Sequence, residues 1–506
     1  MYWEVLPLAK EIEEYEEVKS FIQDVTEQIQ YRPIRLEIKE ELLSHIEDRV
    51  DEYEKEGESR DNAIRTTVLQ MGEPVNIGMS LNSVRRTRDN WWGIGLGIFA
   101  IMLAVIGCMR EWSEKGLVHG LFHTFYLPIG IGLFVFFYLK GYEILVKKTK
   151  VILYILCGII ALDAIILLLR KLSIVPQNNN FLILIYATLF SPSVVGSILL
   201  VIVPLIVIVI YGIRLKGKLA ILLAYTVMEL FLILSGLQLG FTIVTNELIA
   251  IFTLIIILGI MISKDILKGK KKQLWIWYCV GVVFLLGSYG VINNTLPNAS
   301  VSYNLERFMD PDSVEDDFFG YAYDSITIRD LLSKAKPFGS VTVSQEDLNA
   351  IQSKAEDGVA IRYPVTKKDN FVKDTLPQYY NKNYRIAYWI IKYGWIIGGA
   401  LVVVVAAFYI SLTVMSARIK NQLAKMLSIS CSVCLLLQFI FYLLSNFGYL
   451  YGNSVNLPLI SDGLCSIIVN IMMFGCVLGA YRYDHVWNHW NLEIGKVSNM
   501  KRNLFH

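Results

Sequence analysis

The residues in this chain that could do chemistry lie inside, or at the edges of, long apolar runs. Asp163 and Glu229 each interrupt a run that is otherwise almost free of charge. An ionisable group in hydrocarbon is costly, so it either serves a substrate or proton or is paired with a Tyr or Ser inside a helix bundle. Both readings stand for these two residues. A second group surrounds a polar stretch late in the chain: Asp369, Asp374, Asn383 and, further on, Asp462. A carboxylate can accept a proton near neutral pH, whereas a carboxamide cannot. His119 and His123 have the spacing of a metal pair but no third ligand nearby, so aromatic packing is the better reading. Cys431-x-x-Cys434 spells a redox motif, yet within an apolar run it reads as packing. No cysteine falls in the long polar stretch, so no disulfide framework is expected.

Membrane helices must position these residues. Hydrophobic residues make up 54% of the 506 and charged residues only 18%, against about 25% charged in soluble domains. Apolar runs cover residues 92–109, 119–139, 149–169, 181–212, 217–237, 247–263, 273–292, 386–414, 426–445 and 463–480. Each is long enough to cross a hydrocarbon core of about 30 Å. The 181–212 run contains Pro192 and Pro204, which predicts a kinked or re-entrant piece. The expected fold is an all-α polytopic membrane protein with about ten transmembrane helices.

The loop charges set the expected topology. Lys147, Lys148 and Lys150 follow the second run, Arg214, Lys216 and Lys218 the fourth, and Lys264 to Lys272 the sixth. Arg418, Lys420 and Lys425 follow the eighth, whereas residues 238–246 and 446–460 contain no Lys or Arg. This alternation predicts an even number of spans with both termini in the cytosol. The basic residues are therefore a topology pattern and not a nucleic-acid footprint, and Lys268–Lys272 reads as a topology anchor before a headgroup site. No signal peptide is visible, so the first run is expected to act as the insertion signal. The resulting division is a cytosolic domain over 1–88, spans one to seven over 89–292, a large extracytoplasmic loop over 293–385, spans eight to ten over 386–482, and a cytosolic tail over 483–506.

The N-terminal part is a different kind of segment. Residues 1–84 carry 20 Asp and Glu against 9 Lys and Arg. Val18, Phe21, Ile22, Val25 and Ile29 recur at helical spacing, and Leu43, Ile46, Val50 and Tyr53 form a second stripe. Ser59 is placed to cap the next helix, Gly72 to stop it and Pro74 to start another. A soluble module of three or four helices follows from these signals.

Several stretches resemble known families. Leu457-Pro458-Leu459-Ile460-Ser461-Asp462-Gly463-Leu464-Cys465-Ser466, continuing to Asn470 and Gly475, is similar to the signature of the SEDS proteins (shape, elongation, division and sporulation; the FtsW/RodA/SpoVE family). Asn446-x-Gly448 fits the family's upstream N-x-G. Arg307, Phe308, Asp310 and Pro311, then Gly320-Tyr321 and Phe338-Gly339, resemble its large-loop motifs, and Phe190-Ser191-Pro192-Ser193 resembles a third. Asp462 and Leu464 depart from the family's Tyr and Gly, while Val194 and Ser197 replace its Glu and Lys. Glu40-Glu41-Leu42-x-x-His45-Ile46-Glu47 and Met71-Gly72-Glu73-Pro74 separately resemble a permease-prefix domain.

The SEDS resemblance implies peptidoglycan polymerisation from lipid II beside a class B penicillin-binding protein or another membrane protein of division or elongation, in the bacterial plasma membrane. It implies no resident cofactor, although a divalent cation would assist the departing pyrophosphate in an active member. Substrate binding would fall to Arg307, Asp310, Gly320, Tyr321, Asn383, Ser461, Gly463 and Asn470. The family's general-base Asp corresponds to Asn383, counted back from Gly394. Asp374 or Asp462 is the alternative carboxylate. The resemblance thus predicts a member with weakened or lost activity. An active enzyme with a displaced carboxylate, and an unrelated transporter or sensor, are the alternatives.

Overall fold

The structure, a computed structural model, describes residues 12, 15–29, 35–84, 93, 95–99, 102, 128–141, 151–161, 192–239, 244–295, 323–341, 384–450, 457–458, 464–482 and 484. Every regular element among them is helical. The chain divides into two units, residues 1–89 with 482–506, and residues 90–481.

In the first unit, helices α1 (Glu16–Glu27), α2 (Arg35–Lys55), α3 (Arg60–Met71) and α4 (Pro74–Val84) pack around one small core. The α1 stripe expected from spacing is buried throughout, with Val18, Phe21, Ile22, Val25 and Ile29 all enclosed. Ile38, Leu42, Leu43, Ile46 and Val50 supply the α2 face, and the Tyr53 hydroxyl donates to Gln70 Oε1 to tie α2 to α3. Gly72 ends α3 at φ +91°. Ser59 occupies the N-cap position in an extended conformation, but its side chain makes no capping hydrogen bond. The sequence signal there was correct for the boundary and wrong for the bond.

The second unit is a polytopic membrane body. Among the described residues, five helices are long and apolar enough to cross a membrane, over residues 217–234, 245–263, 271–292, 395–417 and 422–446. Its elements are α5 (Pro128–Leu139), α6 (Val151–Ala161), α7 (Pro192–Gly212), α8 (Gly217–Leu239), α9 (Val244–Ser263), α10 (Lys271–Thr295), α11 (Tyr323–Ser333), α12 (Arg385–Tyr393), α13 (Trp395–Ala417), α14 (Gln422–Asn446) and α15 (Leu464–Arg482). Helix α14 packs against α7, α9, α12 and α13 and carries a stripe of buried small polar residues. Across α13 and α14, Ser428 Oγ donates to Ser416 Oγ at 2.7 Å, and Ser416 Oγ donates to Leu412 O at 2.8 Å. Asn421 opens α14 by accepting from Ala424 N.

Pro204 lies inside α7 and has no N–H to give to the carbonyl four residues earlier, that of Leu200. The Cys434 thiol donates to that carbonyl at 3.8 Å, and Gln438 Nε2 donates to the same sulfur. The Cys-x-x-Cys spelling therefore has a packing explanation. Glu229 also has its partner: Ser288 Oγ donates to its carboxylate at 2.8 Å between α8 and α10. Asp163, His119 and His123 lie outside the described residues.

One expected span needs correction. Residues 386–414 form a single apolar run, but the chain breaks at Gly394 into α12 and α13. Gly394 adopts φ +95°, which a side chain would disfavour. The helices fold against each other closely enough that a Cβ on Gly398 would lie 2.9 Å from Ile390 Cα. The nine residues of α12 span only about 14 Å. Only Trp395–Ala417 has the length of a span.

A pH test follows for the first unit. Burial pushes the Glu47 carboxyl up from its ordinary value near 4.5, with Asp51 and Asp48 adding to the shift and Arg60 opposing it. The folded state holds this proton to higher pH than the unfolded chain, so stability rises as pH falls from neutral through the raised value towards 4.5. Glu47→Gln should raise amide protection of Ile46 and Val50 at pH 7 by a factor of about 2–5, the effect being small because the group is largely solvent-screened. Hydrogen exchange in the full chain, corrected for intrinsic rates, checks this. An unchanged pH dependence in the variant would contradict it.

Candidate functional site

The candidate site lies at one end of the membrane body, where α14 finishes and α12 begins. Asn446, the last residue of α14, is fully buried. Its Oδ1 accepts from Ile386 N at 3.0 Å and from Ala387 N at 3.1 Å, while its Nδ2 donates to Tyr442 O at 2.8 Å. The Tyr442 hydroxyl accepts from Arg385 N at 3.0 Å. The first three backbone N–H groups of α12, which a helix cannot satisfy itself, are thus held by two side chains from another helix.

A strap from the large loop closes over the other end of α12. Gly339 N donates to Tyr393 O and Val341 N to Ile391 O, while Trp395 N and Ile396 N donate to the carbonyls of Lys336 and Pro337. A Cβ on Gly394 would sit 2.5 Å from Pro337 O and 2.6 Å from Phe338 Cα, so the strap needs glycine there. Beyond α14, Gly448 has φ +75°, and a Cβ there would lie 2.6 Å from Ser325 O. Ser325 Oγ donates to Leu450 O at 2.9 Å, which docks α11 on the same end.

The Leu457–Gly475 signature meets the bundle deeper, along the body of α13. Tyr409, fully buried on α13, donates its hydroxyl to Pro458 O at 2.6 Å. On α15, Asn470 is fully buried, and its Nδ2 donates to Ser466 Oγ at 3.2 Å. Its Oδ1 has no hydrogen-bond partner among the described residues. Gly475 and Gly479 let α15 approach the backbone of α5: Cβ atoms there would lie 3.2 Å from Phe134 O and 2.8 Å from Phe137 O. Three separate stretches marked by sequence, at Phe338-Gly339, Gly394 and Asn446-x-Gly448, therefore serve to position this end of the bundle.

Arg385 is a residue that sequence reasoning missed. It is 2% exposed, at the first position of α12 and two residues after Asn383. Its signal was a lone cation at the mouth of an apolar run. Ser197, standing where the family has Lys, is buried on α7, and Val194 lies in the first turn of the same helix. Arg307, Asp310, Gly320, Tyr321, Asp369, Asp374, Asn383, Ser461, Asp462 and Gly463 lie outside the described residues. Among the described residues, no group of three or more His, Cys, Asp or Glu could hold a metal ion.

A chain from a solved peptidoglycan synthase complex, reported for its structural coordination of polymerization and crosslinking, matches this one at a TM-score of 0.51 and 13% identity. The match covers 77% of this chain and 97% of that chain. The two share a fold. At that identity the likeness extends no further than the fold. No protein-family profile and no curated protein matches the chain.

The geometry makes Asn446 the fastening of α12. Asn446→Ala should leave two buried amides without an acceptor, at a cost of about 2–4 kcal/mol. Deuterium uptake at Ile386 and Ala387 should rise sharply, while that of Leu254 and Leu258 on α9 stays unchanged. Native-like protection at both amides would show that the cap does not hold the helix.

Proposed function

We propose that this chain is a SEDS-like membrane protein of peptidoglycan synthesis in which the polymerase chemistry is weakened or lost. It acts by binding a lipid-linked cell-wall precursor, lipid II, or a partner membrane synthase such as a class B penicillin-binding protein. The observation that carries this reading is the meeting of Phe338-Gly339, Gly394 and Asn446-x-Gly448, stretches that resemble one family and are far apart in sequence. The shared membrane fold supports it. The end where they meet faces outward in the plasma membrane, because the lysine-rich loops between the described spans lie at the opposite end.

Glycosyl transfer from a lipid-linked sugar needs a base to take the proton from the attacking hydroxyl and positive charge to stabilise the departing pyrophosphate. Asn383 precedes Arg385, the first residue of α12, by two positions in the sequence. Its carboxamide can hydrogen-bond a sugar hydroxyl but cannot take its proton. Arg307, Asp310, Gly320, Tyr321, Ser461, Gly463 and Asn470 complete the proposed binding surface. Such a surface would then bind precursor without consuming it, and a divalent cation would matter only in a chain with a working base.

A polymerisation assay on purified protein with lipid II, run beside Asn383→Asp, tests the reading. The natural chain should give no glycan polymer. The variant should regain turnover, since a general base contributes on the order of 10²–10⁴-fold in rate. Robust polymer from the unaltered chain would overturn the loss of chemistry and point to Asp374 or Asp462 as the base.

A further inference from the structure

At the end of the body opposite the candidate site, two short connections form a single surface. Ile213–Lys216 joins α7 to α8, and Lys264–Lys270 joins α9 to α10. Lys268 N donates to Arg214 O at 2.9 Å, and Gly217 N donates back to Lys268 O at 3.2 Å. A Cβ on Gly217 would collide with Lys268 O, so this pairing requires glycine. Two loops about fifty residues apart are thereby locked into one platform.

The platform is strongly cationic. Lys216, Lys218, Lys264, Lys268, Lys270 and Lys272 are all exposed, and none has an ion-pair partner among the described residues. Its one carboxylate, Asp265, pairs with Lys271 at 3.1 Å. Neither α8 nor α10 has an acidic residue in its first turn. Within the two connections and the first turns that follow them, no carboxylate besides Asp265 offsets these charges. Beside them, Leu215 is 69% exposed and Leu219 51% exposed, side chains that gain little from water but are suited to an acyl-chain boundary. The first connection leads into spanning segment 217–234 and the second joins 245–263 to 271–292, which suits the ammonium groups to the depth of lipid phosphates.

We propose that this paired-loop platform is a binding site for one anionic phospholipid. The lysines engage the headgroup phosphate, and Leu215 and Leu219 lie against its upper acyl chains. A set of independent topology anchors would need no pairing between the loops, whereas a site that holds a lipid depends on it. Lysines near an acidic membrane surface each strengthen attraction, so several fixed together favour an anionic over a zwitterionic headgroup by on the order of tenfold or more. The inference does not depend on the proposed function of the other end.

Native mass spectrometry of the purified full chain can test this, using dioleoylphosphatidylglycerol and dioleoylphosphatidylcholine as probes. The natural chain should retain one phosphatidylglycerol in preference to phosphatidylcholine. Lys268→Gln/Lys270→Gln/Lys272→Gln should lose the preference, and the corresponding triple Lys→Arg variant should keep it. Gly217→Val, which leaves every charge in place but parts the loops, should also lose it. Equal retention of the two lipids by the natural chain would overturn the proposal, as would an unchanged preference in the triple Gln variant. Displacement of the bound lipid by millimolar inorganic phosphate would overturn the lipid as the ligand.

Discussion

Asn446 Oδ1 receives the amides of Ile386 and Ala387 in a part of the body that is closed to solvent. In such a place a helix start cannot fall back on water, and each unsatisfied amide would cost about 1–3 kcal/mol. The carboxamide suits the task because one oxygen can accept twice while its nitrogen anchors the group to Tyr442 O. Everything else at this end follows from α12 being fixed. The strap over Lys336–Val341 has a surface to bond, Gly394 can reverse the chain into α13, and α11 can dock beside Gly448.

The two ends of the membrane body are built on different principles. The end at α12 is assembled by directional hydrogen bonds from side chains to backbone, which fix orientation to within a narrow range. The opposite end is held by backbone pairing of two loops and presents exposed lysine side chains around it. The first construction suits a site that must hold a substrate in one pose; the second suits a diffuse anion such as a headgroup. Between them, Ser428 and Cys434 of α14 and Ser416 of α13 form a buried polar spine in which each satisfies another or a neighbouring carbonyl.

Much of the scaffold was legible in the sequence because it rests on periodicity and solvent preference. The α1 stripe from Val18 to Ile29 and the apolar runs that became α8, α9, α10, α14 and α15 are of this kind. The break at Gly394 was not legible. The residues on both sides of it are apolar, so hydropathy reads straight through, and only the approach of Pro337 and Phe338 makes the glycine necessary. For the same reason the link between Pro204 and Cys434 was hidden: a proline frees a carbonyl, but sequence does not say which distant thiol will answer it. The resemblance marked Gly394, Asn446 and Gly448 correctly as special positions without revealing that their work is structural. Arg385 was passed over because a single cation beside a span usually serves topology.

The central claim is that the docking of α12 creates a place for a lipid-linked precursor. Equilibrium binding of lipid II to the purified full-length chain tests it most directly, compared with Asn446→Ala and with Asn446→Asp, whose carboxylate can still accept both amides. Saturable binding by the natural chain and the Asp variant, and its loss in the Ala variant, is the expected result. Absence of binding by the natural chain, or equal binding by all three, would contradict the account.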